Sequence, residues 1–153
     1  IGRGGAQPHS PRRPQVMQGY WNRPDETAKV LMPDGWLHTG DEGTMRADGY
    51  IKLSDRKKDI ILVSGFKVFQ NEVEEVAMML PGVVEAGATS VADERSGQAV
   101  TLFVVRGDPA LTAEQVLAHC RKNLTGYKVP KYVEFRTELP KSAIGKVLRR
   151  ELR

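Results

Sequence analysis

The apolar positions of this chain change spacing wherever Gly, Pro or a cluster of charges intervenes, and those changes lay out its elements. Ile60 to Val63 are four apolar residues in a row, the length of a short buried strand, and Ser64-Gly65 ends the run. The spacing then lengthens: Val73, Val76, Ala77 and Leu80 fall at i, i+3, i+4 and i+7, which places them on one face of a helix. Asn71 and Glu74 stand at capping-box spacing at its start, with acids where the helix dipole favours them, and Pro81-Gly82 stops it. Two strands are expected near 83–91 and 99–105, with Asp93 to Gly97 as the turn. The second is apolar on both faces, Val100, Leu102 and Val104 against Phe103 and Val105, which predicts a central strand. Thr112 and Gln115 form another capping box, opening a helix whose Ala113, Leu117, Cys120 and Leu124 share a face and which Gly126 closes. Residues 132–136 alternate like an edge strand, and 139–152 form a polar loop leading into a last short helix.

Upstream, Pro24 suits the first turn of a short helix. Residues 44–46 and 50–53 are short strands joined across Ala47-Asp48-Gly49, and Asp-Gly between such strands signals a hairpin. Five consecutive charges, Asp55 to Asp59, separate this hairpin from the apolar run at Ile60. Unpaired charge is too costly to bury, so this knot is either a solvated turn or a working surface. The expected class is α+β: a small open antiparallel or mixed sheet of about three strands with flanking helices, preceded by a β-hairpin.

At 153 residues the chain has room for one cored domain, or for one and part of another. Its net charge of +4 suggests nucleic acid until the charges are placed: Arg3, Arg12 and Arg13 supply three of the four, and later basic residues are interspersed with acids. No basic-aromatic recognition module accompanies them, so a nucleic-acid partner is not expected. A single cysteine, Cys120, rules out an internal disulfide framework, and no apolar run reaches the length of a transmembrane segment. His9, His38 and His119 have no metal-ligand spacing with one another or with Cys120, so no metal site is expected. No nucleophile elbow, dinucleotide fingerprint or P-loop is present.

The stretch from Leu53 to Glu74, with Gly35 to Asp41 before it and Pro140 to Arg149 after it, resembles the adenylate-forming superfamily, most closely the long-chain fatty acyl-CoA synthetases. The likeness runs from residue 15 to the end. It implies an ATP-dependent carboxylic acid:CoA ligase working in two steps, acyl-AMP formation and then transfer to CoA, with Mg2+ accompanying ATP. On this resemblance Asp41 accepts hydrogen bonds from the ribose hydroxyls, a task suited to an acceptor-only carboxylate. Arg56 meets the ribose and phosphate side of the same nucleotide. Lys58 is the hinge, where many family members have Asp. Ser64, Gly65 and Phe66 line the pantetheine channel, and Lys146 is the catalytic lysine of adenylation, bridging acyl carboxylate and α-phosphate. Each has a plainer alternative: a turn after Gly40 for Asp41, a surface ion pair for Arg56, ordinary exposed lysines for Lys58 and Lys146, a strand break for Gly65. Arg121 is either near the CoA nucleotide phosphate or simply on a solvated helix face.

The same resemblance divides the chain into an atypical leader at 1–14, without apolar periodicity and expected to be disordered; a tail of the large domain at 15–57; and a small mobile domain at 58–153. The expected partners are fatty acid, ATP, CoA and the chain's own large N-terminal domain. The expected place is the cytoplasm, with peripheral contact at the inner face of the membrane allowed. The family's ATP loop and acyl pocket are not among these residues, so the chain alone is expected to be inactive. Two alternatives stay open: an adenylation domain that loads a carrier protein, and a non-catalytic module that docks CoA or a carrier.

Overall fold

A computed structural model describes residues 7–8 and 14–152, and backbone contacts separate the chain into two units, one ending at Lys58 and the other beginning at Asp59. In the first unit, α1 (Pro24–Val30) places Pro at its first turn, where a missing N–H is harmless, with Asp25 and Glu26 beside it and Lys29 in the last turn. Strands β1 (Gln7–Pro8), β2 (Asp41–Met45) and β3 (Ile51–Arg56) form an antiparallel sheet in that order. The β2–β3 connection is a three-residue loop: Arg46 N–H donates to the Tyr50 carbonyl at 2.8 Å, Gly49 N–H to the Arg46 carbonyl at 3.0 Å, and Gly49 has φ +87°. That left-handed third position is why Gly follows Asp here. The turn across Pro33-Asp34-Gly35 repeats the pattern, with Met32 N–H donating to the Trp36 carbonyl and Gly35 N–H to the Met32 carbonyl. Every buried apolar side chain among the described residues lies at Ile61 or beyond. The first unit instead buries Glu42 and Asp55 and exposes Trp21, Met45, Tyr50 and Leu53.

In the second unit, β4 (Ile61–Val63), β5 (Phe66–Val68), β6 (Val83–Asp93), β7 (Gly97–Arg106) and β8 (Tyr132–Arg136) make one five-stranded sheet. Strand β7 is central, antiparallel to β6 along its length and parallel to β8. Its helix-facing side, with Ala86 and Ala88 of β6, packs on Val73 and Ala77 of α2 (Gln70–Met78) and on Val116 and Cys120 of α3 (Ala113–Asn123). Its other side presents Phe103 to Leu139 and Leu152. Gly87, paired with Phe103, makes that second layer fit: a Cβ there would sit 2.8 Å from Leu152 Cδ1 and 3.4 Å from both Leu139 Cδ1 and Val147 Cγ1. The C-terminal segment thus lies in a notch cut by a missing side chain.

The α+β class and the central position of β7 agree with the sequence, but several local expectations change. The sheet has five strands rather than about three, because Ser64-Gly65 is a hairpin turn that zips Ile61–Val63 onto Phe66–Val68. Strands of three residues are too short for alternation to be legible. Helix α2 starts at Gln70 behind an N-cap at Phe69 that makes no side-chain cap. Asn71 and Glu74 form no capping box; Glu74 instead accepts the Ala88 N–H at 2.8 Å. The Thr112–Gln115 box is present, but the fully buried residues of α3 are Val116 and Cys120, and Gly126 opens a 3-10 turn (Gly126–Lys128) instead of capping the helix. The last short helix is a single 3-10 turn, Arg149–Glu151. Within the leader, Gln7–Pro8 pairs with Gly43 and Glu42, since antiparallel pairing needs no side-chain periodicity; the rest of the leader to residue 13 lies outside the described residues. No helix among the described residues is long and apolar enough to cross a membrane.

Filling the notch should be costly: Gly87→Val overpacks the layer under Leu139 and Leu152 and should lose about 1–3 kcal/mol in urea unfolding of the chain. A second outcome concerns acid. Lys131 first, then the Ser96 hydroxyl and amide and the Arg95 amide, hold Asp93 well below the usual carboxylate range. A depressed folded value gives stability that is complete above the unfolded value of about 3.9 and is lost as pH falls toward the folded one. Asp93→Asn should therefore lower Tm at neutral pH and flatten its fall below about pH 4.

Candidate functional site

A bulge between Glu42 and Gly43 sets the pairing of β2 and β3 so that Asp41 stands opposite Arg56. Gly40, at φ +76°, turns the chain into β2; Thr39 Oγ1 accepts the Asp41 N–H at 3.2 Å and the Gly40 carbonyl accepts the Lys57 N–H at 2.8 Å. These bonds hold Arg56, Lys57 and Lys58 beside Thr39 and Gly40, lining an open hollow of about 390 Å³. Asp41 Oδ1 is 3.7 Å from Arg56 Nε, too far for a hydrogen bond, and the two side chains are 30% and 60% exposed. Asp55 is buried below and accepts the Arg56 N–H at 2.9 Å, so it anchors the backbone while the guanidinium stays outside. The hollow therefore offers three cations, with the Asp41 carboxylate beside it opposite Arg56, a set suited to an anionic ligand that also carries hydroxyl groups. Lys58 is exposed in the 3-10 turn Lys57–Asp59 and makes no ion pair among the described residues.

In the second unit Ser64 (φ 51°) and Gly65 (φ 83°) are the two central residues of the β4–β5 turn, both left-handed as a type I′ hairpin requires. A Cβ on Gly65 would meet nothing within 4 Å, so the backbone angle accounts for this glycine. Phe66 is 57% exposed, yet its ring stacks on Tyr127 with centroids 4.8 Å apart. Lys146 belongs to a third copy of the glycine-closed turn: Ser142 N–H donates to the Lys146 carbonyl and Gly145 N–H to the Ser142 carbonyl, both at 2.8 Å, with Gly145 at φ +77°. A bridge between Lys141 and Val147 closes the base of this ring. The Lys146 side chain is exposed and makes no hydrogen bond or ion pair among the described residues. Its backbone is therefore held at a defined place while its ammonium is left available for a ligand.

The structure thus brings Asp41 and Arg56 together within the first unit, while Ser64 to Phe66 and Lys146 occupy separate loops of the second. Arg121 is exposed on α3. Burial pushes the Cys120 thiol up, which removes it as a nucleophile. No group of three or more His, Cys, Asp or Glu among the described residues could hold a metal ion. Sequence reasoning missed Lys57 as a wall of the hollow and missed Arg149. The Arg149 guanidinium grips Glu74 of α2 through Nε at 2.8 Å and Nη2 at 2.5 Å and also reaches Asn71 Oδ1. Arg149 was hidden among the basic residues of the C-terminal segment, and its partner lies 75 positions earlier.

Residues 72–146 match the family model of the AMP-binding enzyme C-terminal domain. The chain is 61% identical over 142 residues to a long-chain-fatty-acid–CoA ligase of Yersinia pestis, covering 93% of this chain and 25% of that protein. A ligase of the same name from Salmonella typhimurium is 60% identical over 140 residues, covering 92% and 25%. The chain therefore spans about a quarter of the length of the curated relatives it matches. Among solved structures it superposes on ATP-bound MatB from Rhodopseudomonas palustris with a TM-score of 0.91 and 34% identity, over all of this chain and 31% of that one.

If Arg56 serves a ligand and not the fold, removing it should hardly disturb stability. An exposed pair at this separation is worth about 0–1 kcal/mol, so Arg56→Ala should unfold in urea within about 1 kcal/mol of the parent.

Proposed function

The chain belongs to the AMP-binding enzyme family, and from that premise we propose that it supplies the mobile closing part of an ATP-dependent long-chain fatty acid:CoA ligase. In the first step a fatty acid carboxylate oxygen attacks the α-phosphorus of ATP and pyrophosphate departs, leaving acyl-AMP. In the second the CoA sulfur attacks the acyl carbon, AMP departs, and the thiol proton passes to solvent. The observation that carries this assignment is Lys146, an exposed lysine without a side-chain partner among the described residues, whose backbone is held in a closed ring. Its charge offsets the negative charge that accumulates as carboxylate approaches phosphate, which is where a preorganised cation contributes most to rate.

The remaining assignments extend the same scheme. Asp41 takes the ribose hydroxyls and Arg56 the ribose and phosphate side, using the hollow at the β2–β3 edge. Lys58 is the hinge, supported by its exposure and by the division of the chain between Lys58 and Asp59. Residues 15–57 are then the last part of a large domain, and 58–153 a small domain that rotates between the half-reactions. The exposed Trp21, Met45, Tyr50 and Leu53 fit a first unit completed by the rest of that large domain. Ser64 to Phe66 line the pantetheine channel after rotation, with the Phe66–Tyr127 stack stiffening the hairpin tip. Fatty acid, ATP and CoA are the small-molecule partners, and the cytoplasm, at most with peripheral contact at the inner membrane face, is the setting this scheme implies.

A chimera in which this chain replaces the matching quarter of the Yersinia pestis ligase provides the test. Lys146→Ala in that chimera should lose about two to three orders of magnitude in acyl-AMP formation while still making thioester from synthetic acyl-AMP and CoA. Equal damage to both steps would refute the role given to Lys146. Lys58→Pro should show the opposite division, because fixing φ at the pivot impedes rotation and spares the first chemical step. Its acyl-AMP should form at close to the parental rate and fail to proceed to thioester.

A further inference from the structure

The Lys146 ring closes on itself, but closure alone does not fix where the ring points. Lys141↔Val147 pairing and the Ser142–Lys146 hydrogen bonds are all internal to it. What ties the ring to the rest of the unit is Val147 at its base, packed at the Gly87 notch, and the residues on either side. On the N-terminal side, Leu139 is buried in the Gly87 notch and Lys141 pairs with Glu85 of β6. The Lys141 side chain is 41% exposed, and solvent screens such a pair. On the C-terminal side, three residues after Lys146, Arg149 makes the two-pronged grip on Glu74, with side chains only 19% and 17% exposed. The same Glu74 carboxylate accepts the backbone N–H of Ala88 in mid-β6, and Asn71, one turn earlier on α2, takes the other contact of Arg149. One carboxylate thus joins helix, sheet and catalytic ring.

Resting on the assignment of Lys146 above, we propose that Arg149, through Glu74, is the positioning residue that aims Lys146 during adenylation. A planar guanidinium engaging a carboxylate at two points fixes direction as well as distance, which a lysine at the same place would not. A misplacement of about 1 Å at a reacting centre can cost about a hundredfold in rate, so loosening this grip should be visible in the step that uses Lys146. The second step, from which Lys146 is absent, should not register it.

The test uses the same chimera with Arg149→Gln, Arg149→Lys and Glu74→Gln; the last keeps an oxygen for Ala88 N–H and so guards against simple misfolding. Both Gln variants should lower kcat for acyl-AMP formation by about ten- to a hundredfold, with KM for ATP nearly unchanged, and should use preformed acyl-AMP as the parent does. Arg149→Lys should recover part of the loss. In the chain by itself, hydrogen exchange at the Gly145, Lys146 and Leu148 amides should accelerate in the Gln variants while the Val104 amide in β7 stays protected. Parental adenylation, or equal loss in both half-reactions, would overturn the positioning role. If Lys146→Ala leaves adenylation intact, the assignment of Lys146 fails and the positioning role falls with it. The exchange data then say separately whether Arg149 holds the ring.

Discussion

Burial of β7 on both faces sets the terms for everything after Asp59, because a strand apolar on two sides needs two covers. The helices provide one: Val73, Ala77, Val116 and Cys120 close over Val100, Leu102 and Val104. The segment from Leu139 to Leu152 provides the other, although it has few apolar residues to offer. It succeeds because β6 gives up a side chain at Gly87, letting Leu139, Val147 and Leu152 approach the sheet closely. The loop carrying the candidate catalytic lysine is therefore also the lid of a hydrophobic layer. Packing and chemistry share one segment, and neither can be altered without the other.

How much of this could be read beforehand depended on the range of the interaction. The double-sided pattern of β7, the helical spacing of Val73 to Leu80 and the Thr112–Gln115 box are local signals, and they survive in the fold. The Asn71–Glu74 box failed because local capping competes with distant partners: a charged fork from Arg149 and an amide from Ala88 outweighed the helix's own first-turn donors. No periodicity within a window of ten residues announces a contact across 75 positions. The three-residue strand β5 was illegible for the opposite reason, too short to display an alternation, whereas β4 showed as the apolar run from Ile60 to Val63. At the candidate site, Asp41 and Arg56 were nameable from motif resemblance, whereas the bulge that sets them opposite one another was visible only in the register.

The two units differ in what holds them. The second has a continuous apolar core; the first has a hairpin, a two-turn helix and buried carboxylates at Glu42 and Asp55. A surface built on hydrogen-bonded turns keeps its charged side chains exposed, and this suits Arg56, Lys57 and Lys58 to meeting a ligand. Rigidity is concentrated in the backbone beneath them: Gly40 to Lys57, Thr39 to Asp41, Asp55 to Arg56. Holding the backbone firmly while leaving the side-chain tips hydrated allows recognition without the desolvation penalty of a preburied charge.

The three glycine-closed turns invite one comparison. In two of them the residue before Gly is aspartate, and its carboxylate accepts the N–H two positions on: Asp34 from Trp36 at 3.4 Å, Asp48 from Tyr50 at 3.3 Å. In the third that position is Ile144, 88% exposed, and the corresponding N–H of Lys146 turns to Ser142 Oγ at 3.2 Å instead. A bare isoleucine in water looks like a poor choice until the local field is considered. An aspartate there would fix a negative charge two residues from the ammonium, and at such a separation the attraction would cancel much of the positive potential at the tip. By moving the turn's acceptor onto a neutral hydroxyl, the chain keeps that potential undiminished. On the role proposed for Lys146, the exposed Ile144 is the visible cost of keeping that potential.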